Sequence, residues 1–283
     1  MNLSEKFKSV TCEHCNKKVD PTATNCPRCG EELLNPEEKK PFLNDIHCGW
    51  VRNLICFLTG WAGLQVFSLI FSLILQLAMG VNKDSSAALK ASYMITVQCV
   101  SYGFIFLTLI AILWPYLKEI FRSFKGWKPY VAGVVGFIVM IGINIIWNLI
   151  SKAINPATSS NENQQAVVSM TKSFPALSIL FFGLIGPIVE EITYRVGLFG
   201  LAKRVNRVFA YIIVPIVFGF IHFDFESIGT DRFLNEILNM PTYILGGLAL
   251  TFLYDRFGFA ASSTTHILNN LWATIASLIP SGK

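Results

Sequence analysis

The chain has 283 residues, of which 53% are hydrophobic and only 14% are charged, and its formal net charge is +5. This small number of charged residues cannot cover the surface of an ordinary soluble domain. The composition therefore excludes that class and predicts a protein with several membrane spans. We attribute the positive charge to the loops of such a protein and expect no nucleic-acid partner.

The first predicted element is a small metal-binding module. Four cysteines have the spacing C-x2-C-x10-C-x2-C, namely Cys12, Cys15, Cys26 and Cys29. Each C-x2-C pair can form a tight turn that presents two thiolates, and two such turns complete a tetrahedral zinc site. A disulfide framework is the alternative, but the predicted cytoplasmic location of so small a module favours zinc. The sequence therefore predicts a zinc ribbon over residues 1–34, with a structural zinc ion.

A polar segment over residues 35–52 follows the ribbon and is predicted to be a hydrated tether, because it is rich in Glu, Lys, Pro and Asn. Beyond it, residues 53–165 are predicted to be N-terminal transmembrane helices and residues 166–283 a catalytic transmembrane core. The tether lets the ribbon lie away from that core, so we expect its task to be recognition. Because no aromatic residue lies between Lys8 and Pro41 to stack on bases, we expect a protein partner or a substrate-presenting role.

The remaining chain contains seven apolar runs without a charge, each near the length that crosses the hydrocarbon core as a helix. They are Leu54–Met79, Tyr93–Leu117, Val131–Ile150, Phe174–Val189, Val208–Ile221, Ile237–Tyr254 and Phe257–Pro280. The sequence therefore predicts an all-α polytopic membrane protein, with the helices packed as a bundle.

The loops between these runs predict the orientation. Basic residues fill two of them, at Lys118, Arg122, Lys125 and Lys128 and at Lys203, Arg204 and Arg207. Because cytoplasmic loops are enriched in Lys and Arg, we place these loops and the N-terminus in the cytoplasm and the C-terminus outside. The predicted location is the plasma membrane.

Ionisable residues interrupt the apolar sequence in the second half of the chain. Glu190 and Glu191 are adjacent, Arg195 follows one helical turn later, and His222 and His266 lie in later apolar segments. Such groups are costly in a membrane and indicate a functional site. Glu191 and Arg195 share a helix face and are predicted to pair, whereas Glu190 points about 100° away and lacks that partner.

The predicted depths of the polar residues agree. With a rise of about 1.5 Å per residue, Glu190, His222, His266 and Asn270 all lie about 15 to 22 Å from a flanking basic residue on the cytoplasmic side. We therefore expect them to form one polar cluster inside the bundle.

At these positions the sequence resembles a known family. Glu190 to Arg195 is similar to an E-E-x-x-x-R motif, Phe218 to His222 to F-x-x-x-H, and His266 to Asn270 to H-x-x-x-N. These are motifs of the CPBP (CAAX protease and bacteriocin-processing, or Abi) intramembrane endopeptidases, and the resemblance covers about Phe174 to Ile279. Because members with eight helices exist, it implies a bundle of about seven to eight transmembrane helices.

The resemblance implies hydrolysis of a peptide bond in a membrane-associated protein or peptide, by CAAX-type or by bacteriocin- or signal-peptide-type processing. Glu190 would activate water with His222, and His266 and Asn270 would stabilise the oxyanion. Three further side chains, Glu191, Arg195 and Phe218, would support these groups. One alternative stays open, because Glu190, His222 and His266 could instead be three ligands of a catalytic zinc. The absence of an H-E-x-x-H pair favours the metal-free form.

Two other functions fit parts of the pattern. A proton-coupled transporter would also bury Glu and His, but it predicts inverted repeats, and none are found. A catalytically silent membrane scaffold or immunity-type protein would keep the motifs and recruit a partner through the ribbon.

Overall fold

The computed structural model describes residues 10–12, 14–19, 23, 25–31, 46 and 48–279. These belong to two compact units, residues 1–43 and residues 44–283. Most of the predicted tether, residues 35–45 and 47, lies outside the described residues.

The N-terminal unit contains a two-stranded antiparallel ribbon. Strand β1, Val10–Thr11, pairs with strand β2, Lys18–Val19, so that Val10 lies opposite Val19. The segment between the strands carries the first pair of cysteines in a tight turn.

The described part of the larger unit is helical. Its helices are α1 (Trp50–Met79), α2 (Ala87–Ile112), α3 (Leu117–Ser123), α4 (Lys128–Ile154), α5 (Glu162–Ser173), α6 (Pro175–Val205), α7 (Arg207–Phe220), α8 (Phe233–Phe257) and α9 (Phe259–Ala276). The prediction of an all-α membrane protein with a small N-terminal ribbon is confirmed.

Five helices, α1, α2, α4, α6 and α8, are long and apolar enough to cross a membrane. Helices α7, with 14 residues, and α9, with 18 residues, coincide with the other two predicted runs. Helix α9 is less apolar because it contains His266, Asn269 and Asn270 as well as a run of Ser and Thr before them. The described part of each of the seven apolar runs therefore lies mainly on one helix, and α3 and α5 are additional short helices in the connections.

Helix α6 is the central helix of the bundle. Of the most apolar 18 residues of α6, 44% are buried, compared with 11% in α1. Helix α6 contacts α1, α2 and α9, and α9 also packs against α4 and α8. The two helices that carry most of the polar motif residues, α6 and α9, therefore lie against each other in the interior.

Gly258 separates α8 from α9. Its φ of 85° and ψ of −179° lie in a region that residues with a side chain rarely adopt. Helix α9 can therefore start at Phe259, directly after α8 ends at Phe257, and pack against it.

Helix α6 widens where α1 approaches it. The segment Ile192–Phe199 is π-helical, and α1 contains a π-helical turn at Thr59–Gly63. A Cβ atom at Gly197 would lie 2.7 Å from the backbone nitrogen of Phe57, so only glycine allows this approach. The Asn53 side chain donates to the carbonyl of Val196 at 2.6 Å and satisfies one backbone acceptor of the wide segment. Such π-helical segments frequently occur at functional sites.

Candidate active site and zinc-binding module

The adjacent glutamates on α6 have different environments. The side chain of Glu191 is completely buried, whereas that of Glu190 is 13% exposed. The rotation of about 100° between neighbouring helix positions gives the two carboxylates different neighbours. Of these two side chains, only that of Glu190 is partly exposed.

Glu191 forms the predicted ion pair with Arg195. The Arg195 Nε atom lies 3.4 Å from Glu191 Oε2, and both side chains are completely buried. The guanidinium group also lies over the ring of Phe218, 5.0 Å from its centroid. Its terminal nitrogens have no hydrogen-bond partner among the residues that the structure describes. Glu191 is therefore the carboxylate that directly offsets this buried charge.

His266 on α9 contacts both glutamates. Its Nδ1 atom lies 3.0 Å from Glu191 Oε1, and its Nε2 atom lies 3.5 Å from Glu190 Oε2. The hydrogen bond at Nδ1 orients the imidazole, so that Nε2 faces Glu190. The family resemblance paired Glu190 with His222, whereas the structure gives Glu190 a contact with His266.

His222 lies just beyond the end of α7, in a turn in which its N–H donates to the carbonyl of Gly219 at 3.1 Å. Its ring stacks on Tyr243, with centroids 4.3 Å apart, and meets Phe218 edge to face at 5.2 Å. Phe218 also meets His266 edge to face at 5.8 Å. Phe218 therefore lies between the two imidazoles and sets their separation.

Asn270 lies one turn beyond His266 on α9. It donates from Nδ2 to the carbonyl of Phe182 at 3.2 Å. Phe182 belongs to a second π-helical segment of α6, Phe181–Ile185. An amide nitrogen carries two hydrogens, and this bond uses one of them.

Two residues near His222 had no signal in the sequence motifs. Tyr243 stacks on the His222 ring, and Asn161 donates from Nδ2 to the His222 carbonyl at 2.9 Å. Asn161 before Glu162 fits a helix N-cap, which indicates only that a helix starts there. Nothing in the sequence indicates that its side chain reaches His222.

The four cysteines of the N-terminal unit fit a zinc ion. Their sulfur atoms all lie within 4.8 Å of one another, with Cys12 Sγ to Cys29 Sγ at 3.7 Å and Cys15 Sγ to Cys26 Sγ at 3.6 Å. Tetrahedral zinc with Zn–S bonds of about 2.3 Å requires sulfur atoms roughly 3.8 Å apart. The N–H of Arg28 lowers the pKa of the Cys26 thiol to about 6, whereas burial raises the pKa of the neighbouring Cys29 thiol.

The two cysteine turns have the same backbone pattern. Cys12 N–H donates to the Lys17 carbonyl and Asn16 N–H to the Cys12 carbonyl, both at 2.8 Å. In the second turn, Cys26 N–H donates to the Glu31 carbonyl at 2.6 Å and Gly30 N–H to the Cys26 carbonyl at 2.9 Å. The residue four places after each first cysteine has a positive φ, 54° at Asn16 and 72° at Gly30, and Asn and Gly tolerate this conformation best. Both halves of the site are therefore built alike.

The membrane site does not fit the alternative set of metal ligands. Three or more His, Cys, Asp or Glu residues could hold a metal ion where their ligand atoms all lie within 4.8 Å of one another. Among the residues that the structure describes, the four cysteines are the group that meets this condition. Glu190, His222 and His266 do not form such a group. We therefore derive no step through a metal at this site.

The comparison with protein families identifies the region that holds this site. Residues 172–272 match the family described as Type II CAAX prenyl endopeptidase Rce1-like. All three motifs fall within that range, so the resemblance inferred from the motifs is confirmed over it.

Three curated relatives are similar to parts of the chain. "Putative membrane peptidase YdiL" of Bacillus subtilis is 27% identical over 149 residues, 52% of this chain and 56% of the relative. The UPF0177 protein YvdC of Lactococcus lactis is 24% identical over 157 residues, 54% of this chain and 56% of the relative. A protein of Mycoplasma capricolum is 22% identical over 246 residues, 80% of this chain and 70% of the relative. The chain spans little more than half the length of the first two, and no solved structure matches it.

Proposed function

We propose that this protein is an intramembrane endopeptidase that hydrolyses a peptide bond of a membrane-associated, CAAX-type protein or peptide. The observation that carries the proposal is the contact of His266 with both Glu190 and Glu191. The two acids differ there, because Glu191 is held at 3.0 Å by Nδ1 and is paired with Arg195, whereas the partly exposed Glu190 has the longer contact of 3.5 Å with Nε2. The match to a CAAX endopeptidase family over the same residues supports the reaction class.

Glu190 is the general base of the proposed reaction. Its side chain is the more exposed of the pair, whereas Glu191 is held by Arg195 and by Nδ1 of His266. A base must reach the water that it activates, and Glu190 meets this condition better than Glu191. The ring nitrogens of His222 have no hydrogen bond to another described residue, which leaves them for orienting that water.

His266 is the first donor to the oxyanion in the proposed reaction. Its Nδ1 atom is held against Glu191 at 3.0 Å, and its Nε2 atom, on the side of Glu190, faces the reacting centre. A donor fixed in a buried site stabilises a developing oxyanion strongly. The second N–H of the Asn270 amide is the other donor.

The reaction then follows in two steps. Glu190 takes a proton from water as the water oxygen adds to the scissile carbonyl carbon, and the carbonyl oxygen becomes an oxyanion that accepts hydrogen bonds from His266 and Asn270. The intermediate collapses as the C–N bond breaks and the protonated Glu190 returns its proton to the leaving amine. Arg195 and Phe218 hold Glu191 and the two imidazoles in place throughout.

The domain arrangement and location are part of the proposal. Residues 166–283 act as the catalytic core, residues 53–165 as its membrane support, and the ribbon of residues 1–34 as a module that binds a protein partner or presents substrate on its tether. The basic loops favour a cytoplasmic N-terminus in the plasma membrane.

The test is a comparison of the wild type with Glu190→Gln, using an internally quenched farnesylated CAAX peptide and membrane proteomics. Loss of the base lowers cleavage by about a hundredfold or more, and an uncleaved precursor accumulates in the membrane. Glu226→Gln, in an exposed loop, is the matched control and retains activity. Full cleavage by Glu190→Gln would overturn the proposal.

A further inference from the structure

The connection between α4 and α5 is fastened to the start of α8. We call residues 155–161 the strap. Ser159 N–H donates to Asn235 Oδ1 at 2.9 Å, and Asn239 Nδ2 donates to the Ser159 carbonyl at 2.9 Å. The strap therefore has a fixed position against α8, at the end of the bundle where His222 lies.

Buried Glu236 fixes the same region from a second side. Its side chain accepts from Glu162 N–H at 2.9 Å and from Asp224 N–H at 3.3 Å. Glu162 directly follows the strap, and Asp224 lies two residues after His222. One carboxylate thus holds the strap and the turn of His222 together.

Asn161 connects the strap to His222 itself. This residue is only 2% exposed. Its Oδ1 accepts from Gln164 N–H at 3.1 Å, which caps α5, and from the Tyr243 hydroxyl at 2.9 Å. Its Nδ2 donates to the His222 carbonyl at 2.9 Å. A single amide therefore joins the backbone of His222 to the side chain that stacks on the His222 ring.

We propose that Asn161 and Tyr243 are positioning residues for His222, with Asn161 fixing its backbone and Tyr243 fixing the plane of its imidazole. His222 needs such support because α7 ends at Phe220 and no longer holds it in a helical ladder. Asn161 lies before the matched range of residues 172–272, so the family match does not include it. A role in catalysis rests on the proposed function, whereas the placement of the ring does not.

Four substitutions distinguish this proposal from a purely structural role for the strap. In Asn161→Asp, the oxygen that caps α5 and accepts from Tyr243 remains, and an acceptor replaces the Nδ2 donor that faces the His222 carbonyl. Asn239→Asp, on α8, is the matched control, because it removes the same kind of donor to the strap, at the Ser159 carbonyl, without touching His222. Tyr243→Phe keeps the stacked ring, and Tyr243→Leu removes it.

Two readouts test the proposal on the full-length protein in detergent. The first is kcat and KM for the farnesylated CAAX peptide, with thermal unfolding as a check of stability. The second is the rate at which diethyl pyrocarbonate modifies His222, measured by mass spectrometry. Because small displacements of reacting groups are costly, Asn161→Asp lowers kcat by about tenfold to a hundredfold with KM unchanged. It also raises the modification rate, as does Tyr243→Leu, while Tyr243→Phe stays close to the wild type in that rate.

The outcomes separate this proposal from the proposed function. If Asn161→Asp and Asn239→Asp change kcat and the modification rate equally, Asn161 has no special relation to His222 and the proposal is wrong. If the wild type does not cleave the peptide, the proposed function fails for this substrate, and the modification rates alone decide whether Asn161 and Tyr243 place the ring.

Discussion

Neutralising Glu191 tests the electrostatics of the buried cluster. In Glu191→Gln, the side-chain oxygen can still accept from His266 Nδ1, while the negative charge beside Arg195 disappears. The substitution therefore removes one charge and keeps the shape and the hydrogen bond to His266. Arg195 remains completely buried, without the carboxylate that it contacts at 3.4 Å.

The expected cost follows from that separation and from the burial. At an effective dielectric constant of about 20, two unit charges 3.4 Å apart interact by about 5 kcal/mol. Breaking a buried pair by removing one partner costs about 3–5 kcal/mol, because the other charge stays desolvated. The matched control is Glu162→Gln. In the wild type the Glu162 carboxylate lies 3.0 Å from Arg232, but the side chains of Glu162 and Arg232 are 39% and 45% exposed. An exposed pair of this kind contributes about 0–1 kcal/mol.

The assay is thermal unfolding of the purified protein in detergent, together with its abundance in membranes. Glu191→Gln lowers the unfolding midpoint by about 10 °C, and Glu162→Gln lowers it by about 2 °C or less. The double variant Glu191→Gln/Arg195→Met removes both charges and unfolds at a higher temperature than Glu191→Gln alone. Equal midpoints for the two single Gln variants, or additive losses in the double variant, would refute the assignment of a buried, mutually dependent pair.

Two further predictions concern the helix contact at α1 and the cysteine module. Gly197→Ala brings a Cβ atom to 2.7 Å from the backbone nitrogen of Phe57 and so destabilises the protein by about 1–3 kcal/mol in thermal unfolding. Gly142→Ala, on α4, is the control, because nothing lies within 4 Å of the added carbon. An unaltered midpoint of thermal unfolding for Gly197→Ala would contradict the close approach of α1 to α6. Metal analysis of the purified protein finds one zinc per chain, and Cys12→Ser/Cys26→Ser loses it without loss of peptide cleavage. Zinc retained by that double variant would place the metal elsewhere.

The helices could be predicted from the sequence because their signal is local. The described part of each of the seven apolar runs lies mainly on one helix, from Leu54–Met79 on α1 to the run that starts at Phe257 and lies mainly on α9. The Glu191–Arg195 pair is local as well, since i and i+4 positions are neighbours on one helix. The π-helical widening at Ile192–Phe199 was not predicted, because it accompanies the approach of α1 from about 140 residues earlier in the chain, which brings Asn53 to Val196.

The contacts between helices could not be predicted. The number of residues to the flanking basic positions predicted similar membrane depths for His222 and His266. Depth alone does not determine which imidazole contacts which carboxylate. That choice depends on the rotation of α6 and α9 about their axes, which the packing of α9 against α4, α6 and α8 determines. The approach of Asn161 to His222 depends on the path of a connection whose residues have no hydrophobic periodicity.

The structure gives a physical reason for having two glutamates side by side in the membrane. A single buried carboxylate that pairs with Arg195 and holds His266 is no longer free to take a proton from water. A single carboxylate left free could not also neutralise the guanidinium. Because the acids occupy consecutive positions, Glu191 faces Arg195 and His266 Nδ1. Glu190 faces His266 Nε2 and is the partly exposed side chain of the two. In the proposed reaction, the imidazole between them couples the charge of Glu191 to the base Glu190, so we expect Glu191 to affect cleavage through His266 as well as through the stability of the fold.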